Sequence, residues 1–550
     1  MAEYIKEYER WLRRADAATR AELENLSDAQ IKDRFYRHLE FGTGGLRGII
    51  GAGINRMNEY VVARATKGLA DYIVKNSNDT SCQSVVIAYD SRNYSELFAK
   101  KAAAVLSGCG VKTYLFDELR PTPELSFAIR YLAATAGIVI TASHNPAKYN
   151  GYKVYWSDGG QVPPHVADSI LEKINNVDVF DVVVNSDDRL IEIIGKEVDD
   201  AYIENVYAQS INPRISKENF KLVYTPLHGS GNKLVRRILD RSGFKNVLVV
   251  KEQELPDGDF PTVKSPNPEN KECFDIAISL AKKNDVDLII GTDPDCDRMG
   301  IVVKNKNGDY VTMTGNQVGI MLLNYILETE KLAQNPAVVT TIVSTKMADT
   351  VCDKYGVKLL RTLTGFKFIG EKIYEFESTN EYSFVFGFEE SYGYLKGTYA
   401  RDKDAVVASM LTAEMASYYA QQNMTLYEVM QSLYNQFEGF YEELESITFE
   451  GIDGVKKIGA IMNFFRNNTP QKIGDCKINK LIDYLYDTEL PKSDVLCFKL
   501  SNGVDFIIRP SGTEPKVKIY YLAEDKTYEK ARKNVACVKN AVKIVMQNSI

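Results

Sequence analysis

Apolar and polar positions along the chain repeat a pattern of strand, polar turn, helix, glycine and second strand. The pattern occurs three times, and its first strands lie at residues 84–89, 221–224 and 337–341. The glycines that follow the helices are Gly110, Gly243 and Gly356. A glycine there fits a left-handed helix C-cap, and the strand after it fits a crossover unit of a mostly parallel sheet. The pattern therefore predicts three similar α/β domains.

The two ends of the chain fall outside this repeat. Residues 1–40 are predicted to be helical and to extend the first domain, because apolar side chains recur there at helical spacing, namely Tyr4, Ile5, Tyr8, Trp11 and Leu12. After about residue 436 the pattern predicts a helix at 454–467, strands near 496–500 and 506–508, and an amphipathic helix at 528–546. This change indicates a smaller α+β domain.

The predicted fold class is α/β, with three similar α/β domains that have mostly parallel sheets and a smaller C-terminal α+β domain. A length of 550 residues agrees with several domains of roughly 100–200 residues each. We place the predicted domains at residues 1–205, 206–312, 313–435 and 436–550.

Composition and charge limit the possible partners. Lys and Arg total 67 and Asp and Glu total 74, so the formal net charge is −7. A slightly acidic chain without blocks of like charge predicts neither nucleic acid nor a membrane surface as a partner. No apolar run is long enough to span a bilayer, and the first residues lack the apolar core of a secretory signal. We therefore expect a cytoplasmic protein.

Cysteine and histidine usage predicts how a metal would be held. The eight cysteines are scattered without a C-x-x-C pair, and none of the four histidines has H-x-x-x-H spacing. Reduced, mostly buried thiols are the expected state of such cysteines. A zinc site of Cys and His is not indicated, so any metal should have oxygen ligands.

The first candidate loop has the sequence T-A-S-H-N-P and follows the apolar strand at residues 137–140. Ligands bind at the carboxyl ends of strands in α/β sheets, and a hydroxyl such as that of Ser143 can carry a phosphoryl group or act as a nucleophile. Lys153, beyond the loop, could supply positive charge to a phosphate. The chain has no G-x-S-x-G sequence, which argues against a serine hydrolase. An ordinary turn and a solvated lysine are the alternatives.

The second candidate loop carries three alternating carboxylates directly after an apolar strand at residues 286–291, and they are Asp293, Asp295 and Asp297. These side chains would repel one another without a cation, and hard oxygen ligands suit Mg²⁺. Arg298 beside them could bind a phosphate in bidentate fashion. The position of Arg298, where an EF-hand has glycine, excludes an EF-hand. A polar turn with solvated acids is the alternative.

Two later loops add candidates for sugar and phosphate binding. Glu389 and Ser391 lie between glycines after the strand at 382–386 and could clamp vicinal hydroxyls. Lys403 lies among acids at the start of a predicted amphipathic helix and could position substrate or transfer protons. The R-P-S-G-T-E-P loop that begins at Arg509 could form a phosphate nest. The alternatives are solvated acids, a charged first helical turn and a generic hairpin loop. The chain has no Walker A or G-x-G-x-x-G sequence, so nucleotide binding is not indicated.

Taken together, these stretches resemble the α-D-phosphohexomutase superfamily of phosphoglucomutases and phosphomannomutases. The resemblance extends from Gly42 to about Tyr521, with one motif in each of four segments and in the family's order. The family fold, three similar α/β domains and a smaller fourth domain around a central cleft, agrees with the predicted repeat. F-G-T-G-G-L-R-G and G-F-E-E-S-Y-G-Y look most like the branch of long phosphoglucomutases that includes phosphopentomutases and glucose 1,6-bisphosphate synthases.

The resemblance implies roles for individual residues. Ser143 looks like the phosphoserine, whose oxygen completes a Mg²⁺ site with Asp293, Asp295 and Asp297. Arg298 resembles the family's phosphate-site arginine, and Glu389 with Ser391 the clamp for sugar hydroxyls. The other residues that match substrate-contacting, proton-transferring, specificity-loop or phosphate-loop positions are Arg47, His144, Lys153, Lys403, Thr364, Gly365, Lys367, Arg509, Ser511, Gly512 and Thr513.

The resemblance implies a phosphoglucomutase, an isomerase that transfers a phosphoryl group by way of glucose 1,6-bisphosphate. Its expected partners are small sugar phosphates, and its expected state is a monomer or small homo-oligomer. Phosphopentomutase and phosphomannomutase are alternatives within the superfamily, although the sugar loop lacks the histidine of many bacterial G-E-x-S-G-H sequences, which argues against mannose. A Mg²⁺-dependent phosphatase that uses Asp293 as nucleophile and a silent sugar-phosphate binding protein are alternatives of other classes.

Overall fold

The computed structural model describes residues 2–42, 44–76, 83–449, 452–486, 488–511 and 516–547. Contacts divide the chain into two compact units. Unit 1 comprises residues 1–303, 310–312 and 393–417, and unit 2 comprises 304–309, 313–392 and 418–550. The four domain boundaries given above subdivide the chain differently and stay a prediction.

The N-terminal region is helical, as predicted. Its helices are α1 (Glu3–Arg14), α2 (Ala17–Glu24) and α3 (Asp28–Phe35). The fully buried Trp11 packs edge-on against Phe35, and both belong to a cluster that includes Ile54 and Val179 of the following fold. Burial of these large side chains attaches the helices to the rest of unit 1.

Unit 1 contains two mixed sheets. The strands of the first are β1 (Gly45–Ile49), β2 (Ser84–Tyr89), β3 (Lys112–Phe116), β4 (Ala136–Ile140), β5 (Tyr149–Trp156) and β6 (Ile191–Ile194), in the order β1-β5-β4-β2-β3-β6. Its helices are α4 (Glu59–Asn76), α5 (Ser95–Gly108), α6 (Thr122–Tyr131), α7 (Pro164–Asn175) and α8 (Lys196–Tyr207). The strands of the second are β7 (Lys221–Thr225), β8 (Asn246–Val249), β9 (Leu288–Thr292), β10 (Met299–Lys304) and β11 (Tyr310–Thr312), with helices α9 (Gly231–Arg241), α10 (Lys251–Glu254) and α11 (Asp275–Asn284).

Unit 2 contains the third repeat and the C-terminal fold. The third repeat has α12 (Gly315–Thr329), β12 (Pro336–Thr341), α13 (Met347–Tyr355), β13 (Lys358–Thr362), α14 (Phe366–Thr379) and β14 (Ser383–Phe388), and α16 (Leu426–Phe437) belongs to the same unit. The intervening β15 (Tyr394–Lys396) and residues 405–417 of α15 (Ala405–Ala420) belong to unit 1. The C-terminal elements are β16 (Phe440–Thr448), α17 (Ile452–Asn467), β17 (Lys472–Ile473), β18 (Cys476–Asp483), β19 (Leu496–Leu500), β20 (Val504–Pro510), β21 (Lys516–Glu524) and α18 (Tyr528–Gln547). These strands form one sheet, so the smaller α+β fold is confirmed.

The three repeats share the same strand topology. In each, the first strand lies between two parallel neighbours, in the orders β4-β2-β3, β9-β7-β8 and β14-β12-β13. The sheets are mixed because antiparallel strands such as β5 and β10 extend them. The candidate loops with Ser143, Asp293 and Glu389 follow β4, β9 and β14, the third strand of each repeat. The predicted placement of these loops at carboxyl ends of strands is therefore confirmed.

Helix α15 differs from the sequence prediction. An amphipathic helix was expected there, but residues 405–417 are buried on all faces, with Val406, Leu411 and Thr412 equally inaccessible. A helix that is buried on every face has no polar face to give an amphipathic pattern. Its Ser409 hydroxyl donates to the Ala405 carbonyl of the same helix at 2.6 Å.

Seven of the eight cysteines lie among the described residues. The described cysteines are free, and four of them are buried, namely Cys273, Cys296, Cys352 and Cys497. Cys82 lies outside the described residues. In the part of the chain that the structure describes, every helix is too short or too polar to cross a bilayer.

A buried carboxyl group in unit 1 predicts a pH-dependent stability effect. Glu124 on α6 is fully buried, and among the described residues neither of its oxygens has a hydrogen-bond partner; Arg120 Nε lies 3.7 Å from Oε2. Burial, and then the charge of Asp199, raise the pKa of Glu124 well above its usual range. Its stabilising contribution is therefore complete below the unfolded pKa and is lost as pH rises towards the folded pKa.

Glu124→Gln should remove this loss, because the amide has no proton to release. Relative to the parent, the free energy of unfolding of the variant should rise by about 1 kcal/mol or more between pH 5 and pH 8. The difference between the thermal unfolding midpoints of the two proteins, followed across a pH series, measures this change. Glu96→Gln, at an exposed carboxylate of α5, is the control. A Glu124→Gln difference that stays constant with pH would contradict the prediction.

Candidate active site

Ser143 lies in the loop after β4 with its hydroxyl against the acidic loop. The side chain is buried, and Oγ donates a hydrogen bond of 2.8 Å to Asp293 Oδ2. The backbone of Ser143 is in the left-handed region, with φ 52°, and Cys296 in the acidic loop has φ 51°. Non-glycine residues seldom adopt this conformation, so the surrounding contacts must hold both loops in place.

Two residues that the sequence analysis missed hold the Ser143 loop. The Arg92 guanidinium donates to the carbonyl oxygens of Ser143 at 2.5 Å, Pro146 at 3.1 Å and Tyr149 at 3.0 Å, and also to that of Asn145. Asp90 Oδ2 accepts from Thr141 Oγ1, which in turn accepts from the Ser143 N–H. Asp90 and Arg92 directly follow the buried strand β2, so the rule that identified the acidic loop would have found them.

Arg92→Lys should loosen this loop and slow turnover. A lysine ammonium cannot reproduce the planar fork that reaches four carbonyl groups, and a misplacement of about 1 Å at a reacting group can cost roughly 100-fold in rate. We expect kcat to fall about 10- to 100-fold in a steady-state assay of the reaction that the sequence resemblance implies. Arg64→Lys, which alters an arginine that donates to the Val177 carbonyl elsewhere in unit 1, is the control and should keep the parental rate. Equal rates for both variants would exclude the loop-holding role.

Asp293, Asp295 and Asp297 converge at the end of β9. All three are buried, and one carboxylate oxygen from each lies within 4.8 Å of the others. Asp293 Oδ1 accepts from the backbone N–H groups of Asp297 and Arg298. Thr122 at the start of α6 donates its hydroxyl to Asp295 Oδ2 at 3.0 Å, so two loops and a helix fix the cluster. The alternative of solvated acids is wrong.

The electrostatics of this cluster fit a cation. Burial, and then the charge of Asp295, raise the pKa of Asp293 well above its usual range. Burial acts in the same direction on Asp295, but Lys153, a hydrogen bond with Asp293 and Lys403 outweigh it and lower the Asp295 pKa. Oδ1 of Asp295 and Oδ1 of Asp297 are buried without a hydrogen-bond partner among the described residues. Unpaired carboxylate oxygens in a buried set of hard ligands are the donors that a divalent metal ion requires.

Two lysines flank the acidic cluster. Lys153 Nζ lies 3.1 Å from Asp295 Oδ2, and Lys403 Nζ lies 2.8 Å from Asp297 Oδ2. Both ammonium groups are largely buried, so the solvated-lysine alternative for Lys153 is wrong. The charged first turn expected at Lys403 is wrong as well, because α15 begins at Ala405.

Two arginines and one histidine lie in or beside the Ser143 loop and the acidic cluster. Arg298 Nη1 pairs with Glu269 Oε1 at 2.6 Å, and Arg47 Nη1 lies 3.4 Å from Asn145 Oδ1. His144 Nδ1 lies 3.1 Å from Ser143 Oγ. Burial, and then the charges of Arg298 and Arg47, lower the pKa of His144 well below its usual range. The imidazole is therefore neutral near pH 7.

Unit 2 brings the predicted sugar and specificity loops together. Glu389 is buried, which contradicts the solvated-acid alternative, and its Oε1 accepts from the Gly365 N–H at 2.9 Å. Thr364 Oγ1 is buried without a hydrogen-bond partner in the described part of the chain. Lys367 is half-buried, and its pKa is lowered by burial. Ser391, two residues after Glu389, is half-buried.

The predicted phosphate loop begins at Arg509, near the end of β20. Arg509 donates to the Tyr520 hydroxyl at 3.2 Å. Burial would lower the pKa of Arg509, but Tyr520 and then the charges of Glu390 and Glu389 outweigh it and raise the pKa. Ser511 is half-buried, and Gly512 and Thr513 lie outside the described residues.

Comparison with known families matches this organisation. The phosphoglucomutase/phosphomannomutase α/β/α domain I model matches residues 38–179, the domain II model matches 200–308, and the domain III model matches 314–437.

Proteins similar to this chain occur among characterised sequences and among solved structures. A phosphoglucomutase of Staphylococcus aureus strain USA300 is 37% identical over 529 residues, which are 93% of this chain and 94% of that protein. A phosphomannomutase-like structure from Thermus thermophilus has a TM-score of 0.70 at 22% identity, covering 92% of this chain and 99% of that one. The open form of the Paramecium phosphoglucomutase parafusin has a TM-score of 0.67 at 18% identity, covering 94% and 95%. With these matches over nearly its whole length, the chain belongs to the phosphoglucomutase/phosphomannomutase family of α-D-phosphohexomutases.

Proposed function

We propose that the protein is a phosphoglucomutase that interconverts glucose 1-phosphate and glucose 6-phosphate through phospho-Ser143 and glucose 1,6-bisphosphate. The observation that carries the proposal is the hydrogen bond of 2.8 Å between Ser143 Oγ and Asp293 Oδ2, because it joins the proposed phosphoryl carrier to a buried cluster of three carboxylates. The name of the Staphylococcus aureus relative, phosphoglucomutase at 37% identity, supports glucose as the sugar.

In the proposed reaction, phospho-Ser143 gives its phosphoryl group to the 6-hydroxyl of glucose 1-phosphate. The resulting bisphosphate reorients, and the phosphoryl group at C1 returns to Ser143. Phosphoryl transfer depends mainly on positioning and charge stabilisation. The fixed Ser143 loop and the charges of Lys153, Lys403 and Arg298 supply both. His144 lies 3.1 Å from the Ser143 oxygen and is proposed to assist proton transfer at the reacting hydroxyl.

Asp293, Asp295, Asp297 and the Ser143 oxygen are the proposed ligands of Mg²⁺. When bound, Mg²⁺ would neutralise charge on the transferring phosphoryl group. Arg47 is proposed to contact substrate. In unit 2 we assign Glu389 and Ser391 to the sugar hydroxyls, Thr364, Gly365 and Lys367 to sugar selection, and Arg509, Ser511, Gly512 and Thr513 to the nonreacting phosphate.

Phosphorus NMR tests the proposal directly. Purified protein with Mg²⁺ and trace glucose 1,6-bisphosphate would receive glucose, mannose and ribose 1-phosphates separately. We expect the fastest conversion with glucose 1-phosphate. Preference for ribose or mannose 1-phosphate would assign the protein to a phosphopentomutase or phosphomannomutase, and net release of inorganic phosphate would identify a phosphatase.

A further inference from the structure

Tyr155 on β5 has a buried hydroxyl that points at a charged segment of the active site. We infer that Tyr155, acting through Asp402, is a positioning residue that fixes the Lys403 ammonium against Asp297. The inference deepens the proposed function, because it rests on Lys403 taking part in phosphoryl transfer.

A continuous chain of contacts leads from Tyr155 to the acidic cluster. The Tyr155 hydroxyl donates to Asp402 Oδ2 at 2.7 Å, and the other oxygen of Asp402 lies 3.2 Å from Lys403 Nζ. Lys403 Nζ also lies 2.8 Å from Asp297 Oδ2. Tyr155 and Asp402 are buried, and Lys403 is nearly so. Bulk water therefore competes little with these contacts.

Strand β5 explains why this tyrosine can act at the cluster. Side chains two residues apart on a strand share a face, so Tyr155 points the same way as Lys153. Lys153 reaches Asp295 at 3.1 Å, while Tyr155 reaches Asp402. One face of β5 thus supplies Lys153 to the cluster and, through Tyr155 and Asp402, positions Lys403 there.

The backbone on either side of Lys403 is held by other groups. The Tyr202 and Tyr399 hydroxyls donate to Asp404 Oδ2 at 2.8 and 2.5 Å, and the Arg401 N–H donates to Ser126 Oγ. Loss of the Tyr155 hydroxyl should therefore leave the segment in place and change only side-chain directions.

In this inference, the direction of the Lys403 side chain depends on the hydrogen bonds of the Asp402 carboxylate. A lysine ammonium on four rotatable bonds loses considerable entropy when held in one geometry. With Oδ2 bound to Tyr155, Asp402 offers a single oxygen to Lys403. Without that donor, Asp402 is left with an unsatisfied buried acceptor and can rotate to take the ammonium away from Asp297.

Tyr155→Phe tests the inference, with Tyr152→Phe as the matched control. Tyr152 is buried on the same strand, but its hydroxyl accepts from Thr66 Oγ1 on the opposite face, away from the cluster. In steady-state mutase assays we expect Tyr155→Phe to lower kcat about 10-fold and to leave KM within about twofold, since the lost interaction belongs to the transition state. Tyr152→Phe should keep the parental kcat. Equal kcat values for the two variants would overturn the inference.

A double-mutant cycle separates positioning from general destabilisation. If Tyr155 acts through Lys403, Tyr155→Phe should have no further effect on kcat in a Lys403→Ala background. Independent, multiplicative losses would overturn the inference. Asp402→Asn is a second variant with a preserved side-chain shape, and it should reproduce the kcat loss of Tyr155→Phe should that variant fold poorly.

A measurement without turnover keeps the inference separate from the proposed function. Acetylation of Lys403 by an amine-reactive reagent, followed by peptide mass spectrometry, reports how firmly its ammonium is held. We expect several-fold faster labelling in Tyr155→Phe than in the parent and in Tyr152→Phe. Unchanged labelling would overturn the inference, whereas an inactive parent with faster labelling in Tyr155→Phe would refute the proposed function and support the positioning.

Discussion

Ser143→Ala is expected to lower the rate of glucose 1-phosphate isomerisation by about 10³-fold or more, which corresponds to about 4 kcal/mol of lost transition-state stabilisation. The reason is that the variant has no hydroxyl to carry the phosphoryl group between the two substrate positions. The neighbouring groups, including His144 at 3.1 Å from the lost oxygen, cannot replace a covalent carrier. Phosphorus NMR of the 1-phosphate and 6-phosphate signals measures the effect.

The same experiment contains its own check on the covalent step. Incubation with labelled glucose 1,6-bisphosphate should transfer label to the parent protein and leave Ser143→Ala unlabelled. Ser107→Ala, at a buried serine of α5 that bonds the Ala104 carbonyl, should keep both rate and labelling. A Ser143→Ala protein with the parental rate would refute the phosphoserine mechanism.

The repeat architecture could be predicted from the sequence, because each repeat has the same local pattern and the same connection between its parallel strands. A buried first strand, a helix and a glycine recur in each copy, and a crossover between parallel strands has one usual handedness. The loops after β4, β9 and β14 could therefore be assigned to strand ends without a structure.

Groups that act across long sequence separations could not be predicted in this way. Thr122 meets Asp295 across 173 positions, and Tyr155 meets Asp402 across 247. Neither pair has a motif, because the contact is created by packing of separate elements of unit 1. Helix α15 was misjudged for the same reason: tertiary burial, not local amphipathicity, stabilises it.

The acidic cluster leads to the second large expected effect. Asp293→Asn should lower turnover by about 10³-fold or more at saturating Mg²⁺, since it removes a proposed ligand and the acceptor for the Ser143 hydroxyl. Removing metal from the parent with a chelator should abolish turnover to a similar extent, and added Mg²⁺ should restore it. Asp240→Asn, at an exposed carboxylate of α9, is the control and should behave as the parent.

The loss of turnover in Asp293→Asn should not be accompanied by a loss of stability when metal is absent. In chelator, Asp293→Asn should be at least as stable as the parent, because burial, and then the charges of Asp295 and Asp297, raise the Asp293 pKa well above its usual range and so oppose its ionised form. Mg²⁺ at about 100 times its Kd should stabilise the parent by about 2.7 kcal/mol and the variant by much less. Thermal unfolding in chelator and in Mg²⁺ measures both effects. A variant that is less stable than the parent in chelator, yet equally stabilised by Mg²⁺, would show that Asp293 is structural and that the cation binds elsewhere.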